Sequence, residues 1–271
     1  SLAKNRPPPP RGPPMRNRLF ALLAANKGRG QFHAQATAEG EATIWLYDTI
    51  VSDDYWGGVS AISLGKQLAD YRDKAVIHLR INSPGGDVFA GRAMETLLAE
   101  HPAKIVSHID GYAASAASYV ALAGEERIIS PGGMFMIHKA WTLAWGNADD
   151  IRKTAALLDQ IDETLVATYA AKTGQSPDQL RDWIAAETWL TATEAVQYGF
   201  ATAIAGQDEK APEPTETENR APAWDLAAYA RAPKPPAPAP QPPEARAPEN
   251  NFDRAAALRR LEACTVAYTP S

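Results

Sequence analysis

The chain has 271 residues, 45% of them hydrophobic and 22% charged, with a formal net charge of −5. This composition is typical of a globular protein and excludes a wholly disordered chain. The longest central stretch without a charged residue, 112–124, is too short to cross a bilayer, and no signal peptide is recognised before it, so we expect no membrane association. The single cysteine, Cys264, excludes an internal disulfide framework and a cysteine-based zinc site, and it fits a reducing, cytoplasmic compartment.

Proline and charge divide the chain into four regions. Residues 1–38 carry seven Lys or Arg and no acid, and eleven prolines lie between Pro212 and Pro248. Proline-rich runs favour extended conformations that cannot bury a core. We predict a basic disordered arm over 1–40, a globular domain over 41–206, a Pro/Ala/Glu-rich linker over 207–250, and a short C-terminal helix or tail over 251–271. The arm is interpreted as a solvated tail rather than a nucleic-acid-binding segment, because no aromatic residues are interleaved with its charges.

Within the domain, short apolar strands alternate with helical patterns. Strands are predicted at 43–47, 75–81, 104–109, 127–129 and 134–138. Helices are predicted at 57–71, 88–100, 113–122 and 148–173, and two more begin at the capping boxes 176–179 and 191–194. A further helix is predicted at 252–264. The alternation of strand and helix predicts an α/β domain with largely parallel strands.

Two segments rich in small residues follow predicted strands and could carry chemistry. The turn Ser83-Pro84-Gly85-Gly86 can turn backbone N–H groups outward, which suits the binding of an oxyanion. The run 111–118 places Ser115 at the start of a predicted helix, near free N–H groups. Taken alone, the first segment is more often an ordinary turn, and the second is more often a tightly packed Ala/Ser helix.

A histidine and a carboxylate complete the candidate set. His138 ends an apolar strand, and imidazole is the side chain best suited to take and return a proton near neutral pH. Glu187 precedes the capped helix at 191–194 and could orient the imidazole, and Asp182 lies near enough in sequence to compete for that role. Together these residues supply a nucleophile, a base, an acid and an oxyanion donor.

Several segments of the chain resemble the signature segments of the ClpP-type serine peptidases. They are INSPGG at 81–86, GYAAS at 111–115, MIH at 136–138 and EAVQYG at 194–199, and they occur in the same order within 41–206. The resemblance implies an α/β fold of the ClpP/crotonase type, a spiral of ββα units from which the long helix 148–173 protrudes as a handle.

The resemblance also implies roles for individual residues. Ser115 would be the nucleophile, His138 the base, and Glu187 the acid at a position where the family usually has Asp. The backbone N–H groups of Gly86 and Ala116 would form the oxyanion hole. The substrate would add as a strand beside Gly85, Asp87, Val88 and Phe89. No cofactor or metal is implied.

The implied function is a serine endopeptidase that acts on protein or peptide substrates and assembles into ring-forming homo-oligomers. Lys139-Ala140 stand where the family commonly has Gln-Pro. Together with the tails, they make the chain similar to phage and prophage ClpP-like proteases that process capsid or scaffold proteins during head maturation, in the bacterial cytoplasm or inside proheads. The alternatives are general Clp-type proteolysis with an ATPase partner, an inactive assembly or scaffold protein, a crotonase-like acyl-CoA enzyme, or a Ser/Lys peptidase. Deletion of 1–38 or 212–271 is expected to spare peptide cleavage.

Overall fold

The structure is a computed structural model that describes residues 18–36, 40–142, 144–206 and 224–233, so the helix predicted at 252–264 lies outside the described residues. The strands are β1 (Gln31–Ala36), β2 (Glu41–Tyr47), β3 (Val76–Ser83), β4 (Lys104–Ala114), β5 (Glu126–Ile129), β6 (Met134–Ile137), β7 (Thr188–Thr191) and β8 (Ala203–Ile204). The helices are α1 (Arg18–Asn26), α2 (Ala61–Asp70), α3 (Val88–Ala99), α4 (Ala116–Ala121), α5 (Ala148–Thr173), α6 (Pro177–Ala186) and α7 (Ala192–Gln197).

The strands form one branched sheet in the order β1-β2-β3-β4-β5-β8, with β6 paired to the end of β4 and β7 paired to β6. Pairing is parallel except between β1 and β2 and between β6 and β7. The prediction of a largely parallel α/β domain is therefore confirmed. The branch arises because β4 pairs with β5 over its first part and with β6 over 112–114.

Helix α3 shows how the sequence builds the core beneath the sheet. Ala90, Met94 and Leu98 follow one another at intervals of four residues, so they lie on one face of the helix, and all three are buried. Asp87 caps the helix by accepting a hydrogen bond from the Ala90 N–H at 2.7 Å. The cap fixes the start of α3 directly after the glycine turn.

Helix α5 has the bounds that the sequence predicts, and its first half extends away from the core. Asn147 and Asp150 form a capping box at its start, and Gly174 ends it in the left-handed conformation with φ of 74°. The buried residues of α5 all lie in its second half, between Asp162 and Tyr169. Exposed apolar side chains in the first half, such as Leu157, have no cover within the described part of the chain.

Residues 18–36 form a helix and a strand within the region that the sequence predicted to be a disordered arm. The strand β1 pairs with β2 along its whole length, and Leu22 of α1 is buried. Edge pairing and tertiary burial stabilise this segment, and neither is visible in its composition. None of the helices in the described ranges is long and apolar enough to cross a membrane.

Candidate active site

Ser115 occupies a strained turn between β4 and α4. Its backbone has φ of 53° and ψ of −122°, an unusual conformation for a residue with a side chain. The predicted helix from 113 is wrong at its start, because β4 continues through Ala114 to pair with β6. The Ser115 N–H donates to the Met136 carbonyl at 2.9 Å, which ties the turn to β6. The turn places the serine at the carboxyl end of a strand, where α/β folds place reactive groups.

His138 lies directly beside this serine. The Ser115 Oγ and the His138 Nε2 are 2.7 Å apart, which is a hydrogen-bond distance. Ala114 pairs with Met136 in the parallel ladder of β4 and β6. Ser115 directly follows Ala114, and His138 lies two residues after Met136, so the pairing explains the contact. His138 is buried, with 9% of its surface exposed. A serine and a histidine in this arrangement can act as a nucleophile and its base.

Glu187 follows α6 and directly precedes β7. The antiparallel pairing of Ile137 with Thr188 ends the β6–β7 ladder, and the next residues are His138 on one side and Glu187 on the other. Glu187 itself has a left-handed backbone, with φ of 52° and ψ of 75°. The Glu187 carboxylate accepts hydrogen bonds from the N–H groups of Ala230 at 2.9 Å and Arg231 at 2.6 Å. The competing acid, Asp182, is an exposed residue of α6. Of the two candidates, Glu187 adjoins the β6–β7 ladder that ends beside His138.

The glycine turn after β3 approaches Ser115 closely. A Cβ atom at Gly85 would lie 2.7 Å from the Ser115 Cβ, and one at Gly86 would lie 1.9 Å from the Ile50 carbonyl oxygen. Ile50 bonds on either side of Gly86, donating to the Gly85 carbonyl and accepting from the Asp87 N–H. In a parallel ladder this leaves the Gly86 N–H directed away from Ile50.

Ala116 offers a second N–H group near the serine. It is the first residue of α4, so its N–H has no acceptor within the helix. The structure thus places both predicted oxyanion donors, Gly86 and Ala116, beside the Ser115 turn.

A cavity of about 210 Å³ opens at the pair of Ser115 and His138. Its lining includes Ser115 and His138, the predicted substrate-binding residues Asp87, Val88 and Phe89, and side chains from the first half of α5. Val88 and Phe89 are the first two residues of α3, so their backbone is helical rather than extended, and their N–H groups have no acceptor within the helix. The pairing of a substrate strand with residues 85–89 stays a prediction.

A segment that the sequence assigned to a linker also reaches the site. We call Trp224–Ala232 the strap. Its apolar side chains Trp224, Leu226 and Tyr229 are buried with Leu22, Ala114 and Met136. The Tyr229 ring meets the His138 ring edge-on, with centroids 5.4 Å apart. The available sequence signal was two aromatic residues and a leucine within a region otherwise rich in Pro, Ala and Glu.

The described ranges contain no group of three or more His, Cys, Asp or Glu side chains that could hold a metal ion. A half-buried serine in contact with a buried histidine, beside free backbone N–H groups, is typical of hydrolases that use a serine nucleophile. Comparison with known proteins identifies the family to which the chain belongs. The Clp protease family matches residues 41–208, and the chain belongs to this family of peptidases.

Individual relatives agree with this assignment. The chain is 34% identical over 159 residues to the ATP-dependent Clp protease proteolytic subunit 1 of Leifsonia xyli subsp. xyli, covering 58% of this chain and 79% of that protein. It is 32% identical to the proteolytic subunit 2 of Tropheryma whipplei, covering 59% and 88%. A mutant ClpP1 from Listeria monocytogenes has a similar structure, with a TM-score of 0.52 and 26% identity over 60% of this chain and 90% of that one. The predicted ClpP-like fold is confirmed.

Proposed function

We propose that this chain is a serine endopeptidase in which Ser115 is the nucleophile, His138 the base and Glu187 the orienting acid. The observation that carries the proposal is the 2.7 Å contact between the Ser115 Oγ and the His138 Nε2. The pairing of Ile137 with Thr188, the residues adjacent to His138 and Glu187, supports the role of the acid. A glutamate serves as the acid in some hydrolase triads, so its extra methylene is compatible with this role.

The proposed reaction is acyl transfer from a peptide to Ser115. His138 removes the hydroxyl proton as the Ser115 Oγ attacks the carbonyl carbon, and the backbone N–H groups of Gly86 and Ala116 hold the oxyanion. Glu187 stabilises the imidazolium. His138 then gives its proton to the leaving amine, and water activated by the same histidine hydrolyses the acyl-enzyme. Every step uses groups of this chain and a water molecule.

A fluorophosphonate probe tests the nucleophile directly, because it forms a covalent bond with an activated serine. We expect stoichiometric labelling of the wild-type protein at Ser115 and loss of labelling in Ser115→Ala. The matched control is Ser52→Ala, which alters an exposed serine and should be labelled as the wild type is. Labelling that persists in Ser115→Ala would contradict the proposal, and an inactive scaffold protein or an acyl-CoA enzyme would not be labelled at this residue.

We further propose that the chain assembles into rings and processes capsid or scaffold proteins during phage head maturation. Its membership of the Clp protease family supports a ring-forming oligomer with protein substrates. The residues after the histidine, Lys139-Ala140, and the proline-rich tails support the phage assignment through their similarity to phage proteases. The alternative is general proteolysis with an ATPase partner, which is favoured by the relatives named as ATP-dependent Clp protease subunits.

The requirement for an ATPase separates these two functions. We expect the purified protein alone to cleave a phage scaffold protein, because a protease enclosed with its substrate needs no unfoldase. The readout is the appearance of fragments on a gel, with His138→Ala as the inactive control. Cleavage of short peptides alone, with scaffold protein degraded only when a Clp ATPase and ATP are added, would contradict the head-maturation function and favour the alternative.

A further inference from the structure

The strap, Trp224–Ala232, lies beyond the residues that match the Clp protease family. It is nevertheless fixed firmly to the domain. The Asn26 side chain and the Asp225 backbone exchange two hydrogen bonds, of 2.9 and 2.7 Å. The Trp224 indole donates to the Asn82 carbonyl at 3.0 Å. Polar groups of both the strap and the domain have hydrogen-bond partners where the two meet, which indicates a specific docked conformation.

From this anchor the strap reaches the glycine turn and the histidine. The Tyr229 hydroxyl donates to the carbonyl of Pro84, which directly precedes Gly85 and Gly86. The Tyr229 ring rests edge-on against His138. Burial raises the pKa of Tyr229, against a hydrogen bond with the Ser115 side chain that lowers it, so the phenol is a neutral donor at physiological pH. Tyr229 therefore contacts three of the segments that carry the proposed chemistry.

The strap also holds both oxygens of the proposed acid. The Ala230 N–H donates to the Glu187 Oε2 and the Arg231 N–H donates to the Oε1. Two donors on two oxygens fix the plane of the carboxylate, and hydrogen bonds to a carboxylate favour its charged form. A charged and correctly oriented carboxylate is what the proposed acid needs in order to stabilise an imidazolium.

We propose that the strap is a built-in positioning element of the active site, in which the backbone N–H groups of residues 230 and 231 orient Glu187 and Tyr229 supports His138 and the glycine turn. The inference rests on the proposed function. The cavity at Ser115 and His138 is lined by residues of other segments, and the strap contacts the pair through Tyr229. If the strap positions Glu187, deletion of 212–271 should impair peptide cleavage, which replaces the expectation from the sequence that this deletion spares it.

A double-mutant cycle in the full-length chain tests the positioning role. Ala230→Pro removes one N–H donor to Glu187, and we expect kcat for a peptide substrate to fall by about tenfold to a hundredfold with little change in KM, because a hydrogen bond to a charged group is lost. Ala230→Gly keeps the N–H and should retain most of the activity that Ala230→Pro loses. In a Glu187→Ala background, Ala230→Pro should cost nothing further, because its effect passes through the carboxylate.

A second variant covers the case in which Ala230→Pro disturbs folding. Tyr229→Phe keeps the ring against His138 and removes only the hydroxyl, which donates to the Pro84 carbonyl and bonds with the Ser115 side chain. We expect a fall in kcat of about threefold to tenfold, the size expected from neutral hydrogen bonds, in a protein that still unfolds in one cooperative thermal transition. Fluorophosphonate labelling of each variant measures how much of the nucleophile remains active.

The outcomes separate the two proposals. Equal losses from Ala230→Pro with and without Glu187 would show that the strap acts only on stability, and an increase in kcat would show that it inhibits the enzyme. Either result overturns the positioning role, as does unchanged turnover in both Ala230→Pro and Tyr229→Phe. If instead Glu187→Ala alone leaves turnover unchanged, or Ser115→Ala keeps it, the proposed catalytic function itself fails.

Discussion

Replacement of His138 by alanine is expected to lower kcat for peptide hydrolysis by roughly 10⁴- to 10⁶-fold. The Ser115 hydroxyl is a weak nucleophile without a base, and His138 is the base in hydrogen-bond contact with it. The residual rate would come from substrate binding and the oxyanion donors. Steady-state hydrolysis of a fluorogenic peptide measures the loss, and thermal unfolding checks that the fold is intact.

Two further variants make the test of His138 specific. Ser115→Ala combined with His138→Ala should be about as slow as either single variant, because the two residues act as a unit. His33→Ala is the matched control, since His33 is an exposed residue of the edge strand β1, stacked on Trp45. A small effect of His138→Ala, or a loss of similar size in His33→Ala, would show that His138 is not the base.

Replacement of Glu187 by alanine is expected to lower kcat by roughly 10³- to 10⁴-fold, with KM changed little. The reason is that the carboxylate acts on the imidazole in the transition state, where positive charge develops on His138. Glu187→Gln keeps a polar group of the same size and removes the charge, so it should also be strongly impaired. The measurement is the same peptide assay, with kcat and KM determined separately.

Asp182→Ala is the matched control for this prediction, because it removes another carboxylate of the same region. Asp182 is exposed on α6, five residues before Glu187. Its replacement should leave kcat within about twofold of the wild type, as surface substitutions generally do. A large loss in Asp182→Ala together with a small one in Glu187→Ala would reverse the assignment of the acid.

Local signals explain which parts of the fold the sequence could predict. The bounds of α5 follow from a capping box at Asn147 and a left-handed glycine at Gly174, and both lie within the helix's own stretch of chain. The start of α4 was placed too early, because the small residues before Ser115 suit a helix. Pairing of β4 with β6 overrides that preference and produces the strained turn. Local propensity therefore missed the conformation that positions the nucleophile.

Part of the candidate site could be predicted, because serine, histidine and carboxylate side chains have characteristic chemical roles. Small-residue and strand-end patterns made Ser115 and His138 candidates, and the resemblance to ClpP-type peptidases assigned their roles. The structure brings the two side chains into contact. The resemblance favoured Glu187 over Asp182, and the pairing of β7 with β6, which brings the neighbours of Glu187 and His138 together, is a tertiary property that the sequence does not show. The strap was assigned to a linker because its composition resembles its neighbours, and only its docking against Asn26 and Glu187 distinguishes it.

The joint burial of α1 and the strap has a consequence for the solubility of shortened forms of the protein. Leu22 from one end of the described chain and Trp224 from the other share a single apolar cluster with Ala114 and Met136 of the sheet. A protein trimmed to the family-matched residues 41–208 would expose that surface to water. Contiguous apolar patches promote self-association, so such a fragment would tend to aggregate even though it retained the whole peptidase signature.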